Sequence, residues 1–369
     1  MIGTAAIQGG FRFLAIGCCL LAASCGGSSA APSPAAAATP TAVAVSPCTA
    51  ATPPQSGWNW TRVNLSGRIL SLAIDEQDGR TWVASSQNPN EVLVTNDAGA
   101  TWRTALSGFV DFGGLRRGSA AIYAPIVGTS PTSGLYVTRD HARSWTQILR
   151  PPADVGWIGT VLTSRVRPGL LLAGTQRPTG GNGRPDSVFR SVDDGVNWTE
   201  IAFDGRLRYL SYTHFAEDGS GAILATPSEA VFPGVYFRST DAGVSWQAVD
   251  GPSRQSSGGL AADLVRHKIF AHNSSFTYLT EDAGRSWSRA LGGLLSPNAL
   301  LVDERTGGVF AAEGTGRQGI SYLPDGASTF RAVGLDGVEV LALATDRCGS
   351  TLLAGGSGSL YVSPIPRNP

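Results

Sequence analysis

An eight-residue pattern, Ser/Thr-x-Asp-x-Gly-x-x-Trp, constrains this chain more than any other feature. It reads TNDAGATW at 95–102, TRDHARSW at 138–145, SVDDGVNW at 191–198, STDAGVSW at 239–246 and TEDAGRSW at 280–287. A weaker copy, LPDGASTF, occupies 323–330. The second copy carries Ala142 at the Gly position, and the sixth ends on Phe330 instead of Trp. Self-similarity at a period of 41 to 53 residues marks a repeat architecture. Each residue type has a structural use. The Asp carboxylate accepts backbone N–H groups and locks a tight turn. The Gly supplies a positive-φ position, and the Trp packs between neighbouring sheets. Asp97, Trp102, Asp140, Trp145, Asp193, Trp198, Asp241, Trp246, Asp282, Trp287 and Asp325, with Asp194 beside Asp193, are therefore expected to be scaffold, not catalysts.

Composition agrees with a turn-rich, all-β chain. The 369 residues include 47 Gly and 22 Pro, and only 15% are charged, against a usual quarter or so. Long helices and coiled coils need more Ala, Glu and Lys than this. Lys plus Arg equals Asp plus Glu at 28 each, so the chain has no electrostatic footprint for nucleic acid. With 42% hydrophobic residues and nine Trp it can build a core.

The repeated pattern resembles the Asp-box, or BNR repeat, of sialidases and other β-propellers. The resemblance covers residues 58–369 and implies a single all-β propeller. The spacing of the copies predicts seven blades of four strands. In the first unit these are Ile69–Ile74, Thr81–Ala84, Glu91–Thr95 and Thr101–Ala105. The last unit, VEVLALAT, STLLAGG and SLYVS, lacks a fourth strand, and WNWTRVNL at 58–65 looks like every strand that follows a motif. That N-terminal segment is expected to close the ring and remove its open sheet edges.

Residues 1–24 resemble a bacterial lipoprotein signal peptide. Arg12 is the only charge, the apolar run Phe13–Ala23 is too short to span a bilayer, and Leu21-Ala22-Ala23-Ser24 precedes Cys25. The resemblance implies lipidation of Cys25 and a membrane-anchored, extracytoplasmic protein. Residues 25–57, rich in Ala, Pro, Ser and Thr and without charge, read as a tether that reaches up to roughly 100 Å. Cys18 and Cys19 leave with the signal, so Cys48 and Cys348 remain. Propeller topology puts the turn holding Cys348 on the face where the closing strand starts, so a Cys48–Cys348 disulfide is expected.

In propellers of this kind ligands meet the face built from second-to-third-strand loops and from crossovers between blades. Candidates there are Arg68, Arg116, Arg117, Trp157, Arg177, Arg184, Arg206, Arg208, Tyr209, Glu229, Glu313 and Arg317. An arginine-rich rim with aromatics suits acidic sugars or an acidic protein segment. The sialidase Arg-Ile-Pro motif is matched only in part by Arg68-Ile69-Leu70, and no spacing singles out a Tyr–Glu nucleophile pair. The four histidines, His141, His214, His267 and His272, show no ligand spacing, so no metal or cofactor is expected. The reading is a tethered, non-catalytic propeller that binds a protein or glycan. A sialidase-like glycosidase and an assembly factor for membrane complexes are the alternatives. Similar single-propeller chains occur as sortilin-like domains and photosystem II assembly factors.

Overall fold

The computed structural model describes residues 57–108, 110, 114–118, 120–127, 132–152, 155–176, 187–201, 214–226, 234–253, 258–273, 276–290, 297–314, 319–366 and 369. They form seven antiparallel four-stranded sheets arranged as a β-propeller. In the first six blades the strands follow chain order from the innermost outward, as in Arg68–Ile74, Trp82–Gln87, Glu91–Thr95 and Arg103–Ser107 of blade one. The seventh blade takes Val340–Thr345, Thr351–Gly356 and Ser359–Pro364 from one end of the propeller chain. Its outermost strand, Thr61–Val63, comes from the other end and pairs Thr61 with Val362, Arg62 with Tyr361 and Val63 with Leu360. The expected ring closure is thus present.

Two faces follow from this topology. Where innermost strands start and second strands end we speak of the loop end. First-to-second-strand turns and the repeated motifs share the opposite face, the turn end.

The core is not a single centre but seven seams between blades. Period-two alternation sends successive side chains to different seams. Leu93 packs with Ile69, Trp82 and residues of blade seven, whereas Val92 and Val94 pack with Ile122, Ala124 and Ile126 of blade two. Each fully buried Leu or Ile contributes about 1.5–3 kcal/mol. The motif aromatic of each blade joins the seam with the preceding blade. Trp102 sits against Leu353 and Leu360, Trp145 against Val83 and Val92, and Trp198 against Tyr123 and Leu135. Trp246, Trp287 and Phe330 repeat this on the next three seams. At the seventh seam Trp58 and Trp60 take the place of a motif aromatic, against Phe310 and Ile320.

The motif is a closed hydrogen-bonded ring. The Thr95 hydroxyl donates to Asp97 Oδ1 at 2.6 Å and accepts from Gly99 N at 3.0 Å. Thr101 then donates its N–H (2.9 Å) and hydroxyl (2.6 Å) to the two Asp97 oxygens. Ser144, Ser245 and Ser286 do the same for Asp140, Asp241 and Asp282, and Asn197 donates its N–H and its amide Nδ2 to Asp193. The seventh motif position is therefore as specific as the Asp, although the sequence pattern leaves it open. Positive φ falls on motif positions four and five, and Ala142 accepts it at 59° where the other complete copies use Gly.

Hydrogen bonds from Thr101, Ser144 and Asn197 hold Asp97, Asp140 and Asp193 at a pKa of about 2. At Asp282 burial pushes the carboxyl up, but bonds from Ser286 and Thr280 outweigh it, again to about 2. A carboxylate depressed on folding contributes stability that is present above its unfolded value and lost as pH falls through its folded value. The motifs accordingly stay locked at neutral pH and loosen only in strong acid.

The sixth copy differs. Leu323 has no hydroxyl to offer Asp325, whose carboxylate pairs with Lys268 Nζ at 2.7 Å and Arg266 Nε at 3.4 Å of the preceding blade. Asp325 is scaffold through an inter-blade ion pair, not through the motif ring.

Candidate functional site

Innermost strands line the centre of the ring, and their first residues set the loop-end mouth. Arg68 opens the innermost strand of blade one opposite Gln87, and its Nη1 donates to Gln87 Oε1 at 3.2 Å. Trp157 opens that of blade three, Trp157–Thr163. Its indole Nε1 is buried and has no hydrogen-bond partner among the described residues. Glu313 ends the second strand of blade six, is 4% exposed, and accepts a hydrogen bond from Ser321.

Two imidazoles stand at the same end. His214 opens the innermost strand of blade four opposite Thr226, and His272 ends the second strand of blade five opposite Gly259. Burial lowers His214 to a pKa of about 4, helped by the Arg116 charge. Burial lowers His272 to about 3, helped by His214. Both rings are neutral at physiological pH, and His272 Nδ1 is buried without a partner. A Cβ at Gly258 would lie 2.3 Å from the His272 ring, so the ring needs a glycine there.

Arg116 and Arg117, expected on the loop end, are placed at the turn end by the register. Blade two has an innermost strand of only two residues, and these pair with Tyr123 and Ile122 at the start of the next strand. Gly118 N donates to Ala121 O at 2.7 Å and turns the chain at once. The chain before them has already dipped into the ring, where Val110 N donates to Ser85 Oγ and Leu115 N to Ser71 Oγ. Burial lowers Arg116 to a pKa of about 10.

Arg117 joins an ionic cluster that crosses the ring at the turn end. Its Nη1 donates to Thr345 O of blade seven at 2.8 Å, and its Nε lies 3.3 Å from Glu76 of blade one. Arg165 of blade three pairs with Glu304 of blade six and lies 4.0 Å from Glu76. Burial pushes the Arg165 guanidinium down, and the Glu304 and Glu76 charges outweigh it. Nearby, Arg167 and Ser164 bond Glu217, whose carboxyl burial pushes up. The cluster closes one end of the ring with charge, whereas the other end offers an arginine, an unpartnered indole N–H and neutral imidazoles. Groups of these kinds can donate hydrogen bonds to a ligand and orient it.

A second repeated element was legible but not read from the sequence. An Asp follows the last residue of the innermost strand in blades one, four, six and seven and ends that strand in blade five. Asp75, Asp218, Asp263, Asp303 and Asp346 each accept backbone N–H groups of the turn that follows. Of the other sequence candidates, Arg177, Arg184, Arg206, Arg208, Tyr209, Glu229 and Arg317 lie outside the described residues, as do Cys25 and Cys48.

No family model matches the chain, and no curated protein matches it. Solved structures do. YCF48 from Cyanidioschyzon merolae is similar with a TM-score of 0.58 at 15% identity, over 82% of this chain and 98% of that one. YCF48 bound to D1 peptide gives 0.57 at 15% identity, over 84% and 97%. An ancestral GH74 enzyme gives 0.62 at 15% identity, over 84% of this chain but only 46% of its own length. At this identity the likeness shows the fold.

Proposed function

We propose that this chain is a non-catalytic Asp-box propeller, held at the cell envelope by a lipidated Cys25, whose loop end binds an extended segment of a partner protein. The observation that carries the reading is the buried Trp157 Nε1, a donor with no partner among the described residues, at the mouth that Arg68 also borders. A peptide carbonyl would satisfy the indole, and an acidic side chain would suit the guanidinium. YCF48, a propeller of like fold over nearly its full length, has been solved bound to D1 peptide, which adds support by analogy of fold alone. The glycosidase reading is weaker. Of Arg68, Arg116 and Arg117, only Arg68 borders the mouth, and Glu313 is already hydrogen-bonded to Ser321.

The test is a peptide array probed with the mature chain, beside a panel of glycans and chromogenic glycosides. Selected peptides are expected to bind about fivefold to tenfold more weakly to Trp157→Phe, which keeps the ring and loses the donor, and to Arg68→Ala. Turnover of any glycoside, or binding that neither variant weakens, would reject the proposal.

The reading extends to the Cys48–Cys348 pairing. Its support is that Cys348 is a bonded, non-titrating cysteine and lies in the turn between Val340–Thr345 and Thr351–Gly356. That turn is on the end of the ring where the closing strand begins. Non-reducing peptide mapping of the mature chain is expected to recover a linked Cys48–Cys348 peptide and a lipid-modified Cys25. Free thiols at 48 and 348 contradict the pairing, and an unmodified Cys25 contradicts the anchor.

A further inference from the structure

We propose that Asp75, Asp78 and His141 bind one divalent transition-metal ion of the Zn2+ class on the seam between blades one and two, at the turn end. Their ligand atoms all lie within 4.8 Å of one another. His141 Nδ1 is 3.1 Å from Asp75 Oδ2 and 3.5 Å from Asp78 Oδ2. Zinc bonds to nitrogen and oxygen of about 2.0–2.2 Å give tetrahedral ligand-to-ligand edges of about 3.3–3.6 Å. Two of the three edges, those from His141 to the two carboxylates, therefore stand near the spacing of one coordination face before any ion arrives.

Each donor is held by its own element. Gln77 N binds Asp75 Oδ1 at 2.8 Å and leaves Oδ2 turned to the imidazole. Arg80 N and Thr81 N both bind Asp78 Oδ1 at 2.8 Å, and Thr81 Oγ1 takes one lone pair of Oδ2 at 2.7 Å. On the other blade, Asn96 Nδ2 donates to the His141 carbonyl at 2.7 Å and fixes the motif against blade one.

The repeat itself supplies an independent argument. The same inter-blade bond recurs from Arg139 to Asp194 O, and the equivalent carbonyl of Ala242 accepts one from Arg190, just before its motif, so the fourth motif position meets the preceding blade on each of these seams. At motif position four the other complete copies carry Ala98, Asp194, Ala242 and Ala283. At the place of Asp78 the turns of blades three to seven carry Arg167, Gly221, Arg266, Thr306 and Gly349. An imidazole and a second carboxylate each depart from the repeat once, and both departures meet on one seam, with 66 residues between Asp75 and His141 in the chain.

The donor set selects the ion. One imidazole and two carboxylates suit Zn2+ and its first-row neighbours, whereas Ca2+ asks for six to eight oxygens. The side chains of His141, Asp75 and Asp78 are 30%, 14% and 32% exposed, so the remaining coordination positions face water. An ion so held would fasten blade one to blade two.

Calorimetric titration of the metal-free mature chain, without a polyhistidine tag, uses ZnCl2 as the probe, with MnCl2 and CaCl2 in parallel. One equivalent of Zn2+ is expected to bind, Ca2+ not to compete, and Zn2+ to raise the melting temperature. His141→Ala, which installs the residue three other motifs carry, is expected to weaken binding by about tenfold or more and to abolish the thermal shift. Asp78→Asn, which keeps an acceptor for the turn, is expected to weaken it as well. His267→Ala, on an exposed turn of blade five, is expected to change neither. The proposal is overturned if the wild type shows no saturable Zn2+ binding, if His141→Ala binds as the wild type does, or if His267→Ala is the variant that loses the ion. A His141→Ala chain that is merely less stable, beside a wild type indifferent to Zn2+, identifies a plain ion pair and also overturns it.

Discussion

Replacing Trp58 and Trp60 together by Ala is expected to lower the unfolding free energy by about 3–5 kcal/mol, and to do so by opening the ring. The closing strand is three residues long and contributes only three register pairs. Backbone bonding of that extent does not hold a propeller shut. The tryptophans supply the rest. They stack on each other at 5.8 Å and 9°, and Trp58 sets its ring edge-on to Phe310 at 5.6 Å and 90°. Trp60 Nε1 donates to Val333 O at 3.0 Å, and a Cβ at Gly334 would come within 2.6 Å of that nitrogen, so blade six approaches the indole with bare backbone. Both rings are half-buried, which places the pair toward the lower part of the range. Losing the strand also exposes the edge of Ser359–Pro364, which can pair with another chain. Urea unfolding followed by circular dichroism measures the loss, and light scattering the association. Trp198→Ala, on the seam between blades two and three, which follow one another in the chain, gives the comparison. A loss below about 1 kcal/mol for the double variant, with no added association, would show that closure does not depend on these rings.

The fold was legible because its information is local and repeated. The spacing of six motif copies sets the count at seven blades, and the resemblance of WNWTRVNL to NWTEIAF reveals the closing strand. Two features were legible but passed over: the hydrogen-bonding residue at motif position seven and the Asp that follows innermost strands. Both are single polar residues whose partner is backbone, so they carry no hydrophobic signal. Leu323 could have warned that Asp325 is not held as Asp97 is, since the ring begins with a hydroxyl. The site was far less legible. The place of Arg116 and Arg117 depends on how short the innermost strand of blade two is, and strand ends are the least determined part of a pattern. The ionic cluster joins residues as far apart as Arg117 and Thr345, or Arg165 and Glu304. The seam triad likewise joins Asp75 to His141. No window along the sequence contains both partners, so spacing rules are blind to them.

Arg165 tests whether that cluster is a designed closure of the turn end or incidental charge. Its Nη1 pairs with Glu304 and its Nη2 lies 4.0 Å from Glu76, so one guanidinium ties blade three to blades six and one. The Glu76 side chain is only 3% exposed, and neither carboxylate oxygen has a hydrogen-bond partner among the described residues, so it relies on the charges of Arg165 and Arg117. Removing one partner of a buried ion pair leaves an uncompensated charge and costs about 3–5 kcal/mol. Arg165→Leu is expected near the lower bound, because Arg117 stays and Glu304 is partly hydrated. Substituting Glu76→Gln together with Arg165→Leu removes the stranded charge and is expected to recover a large part of the loss. The pH dependence gives the sign that separates charge from packing. A stranded carboxylate is penalised while ionised and relieved on taking up a proton, so the gap between wild type and Arg165→Leu narrows as the pH falls. The motif carboxylates, whose contribution runs the opposite way, are the same in both chains and cancel from the difference. Urea unfolding at several pH values measures it. A gap that is constant, or widens in acid, would mean that Arg165 acts through the volume its side chain fills, and the ring would then be closed by packing, not by charge.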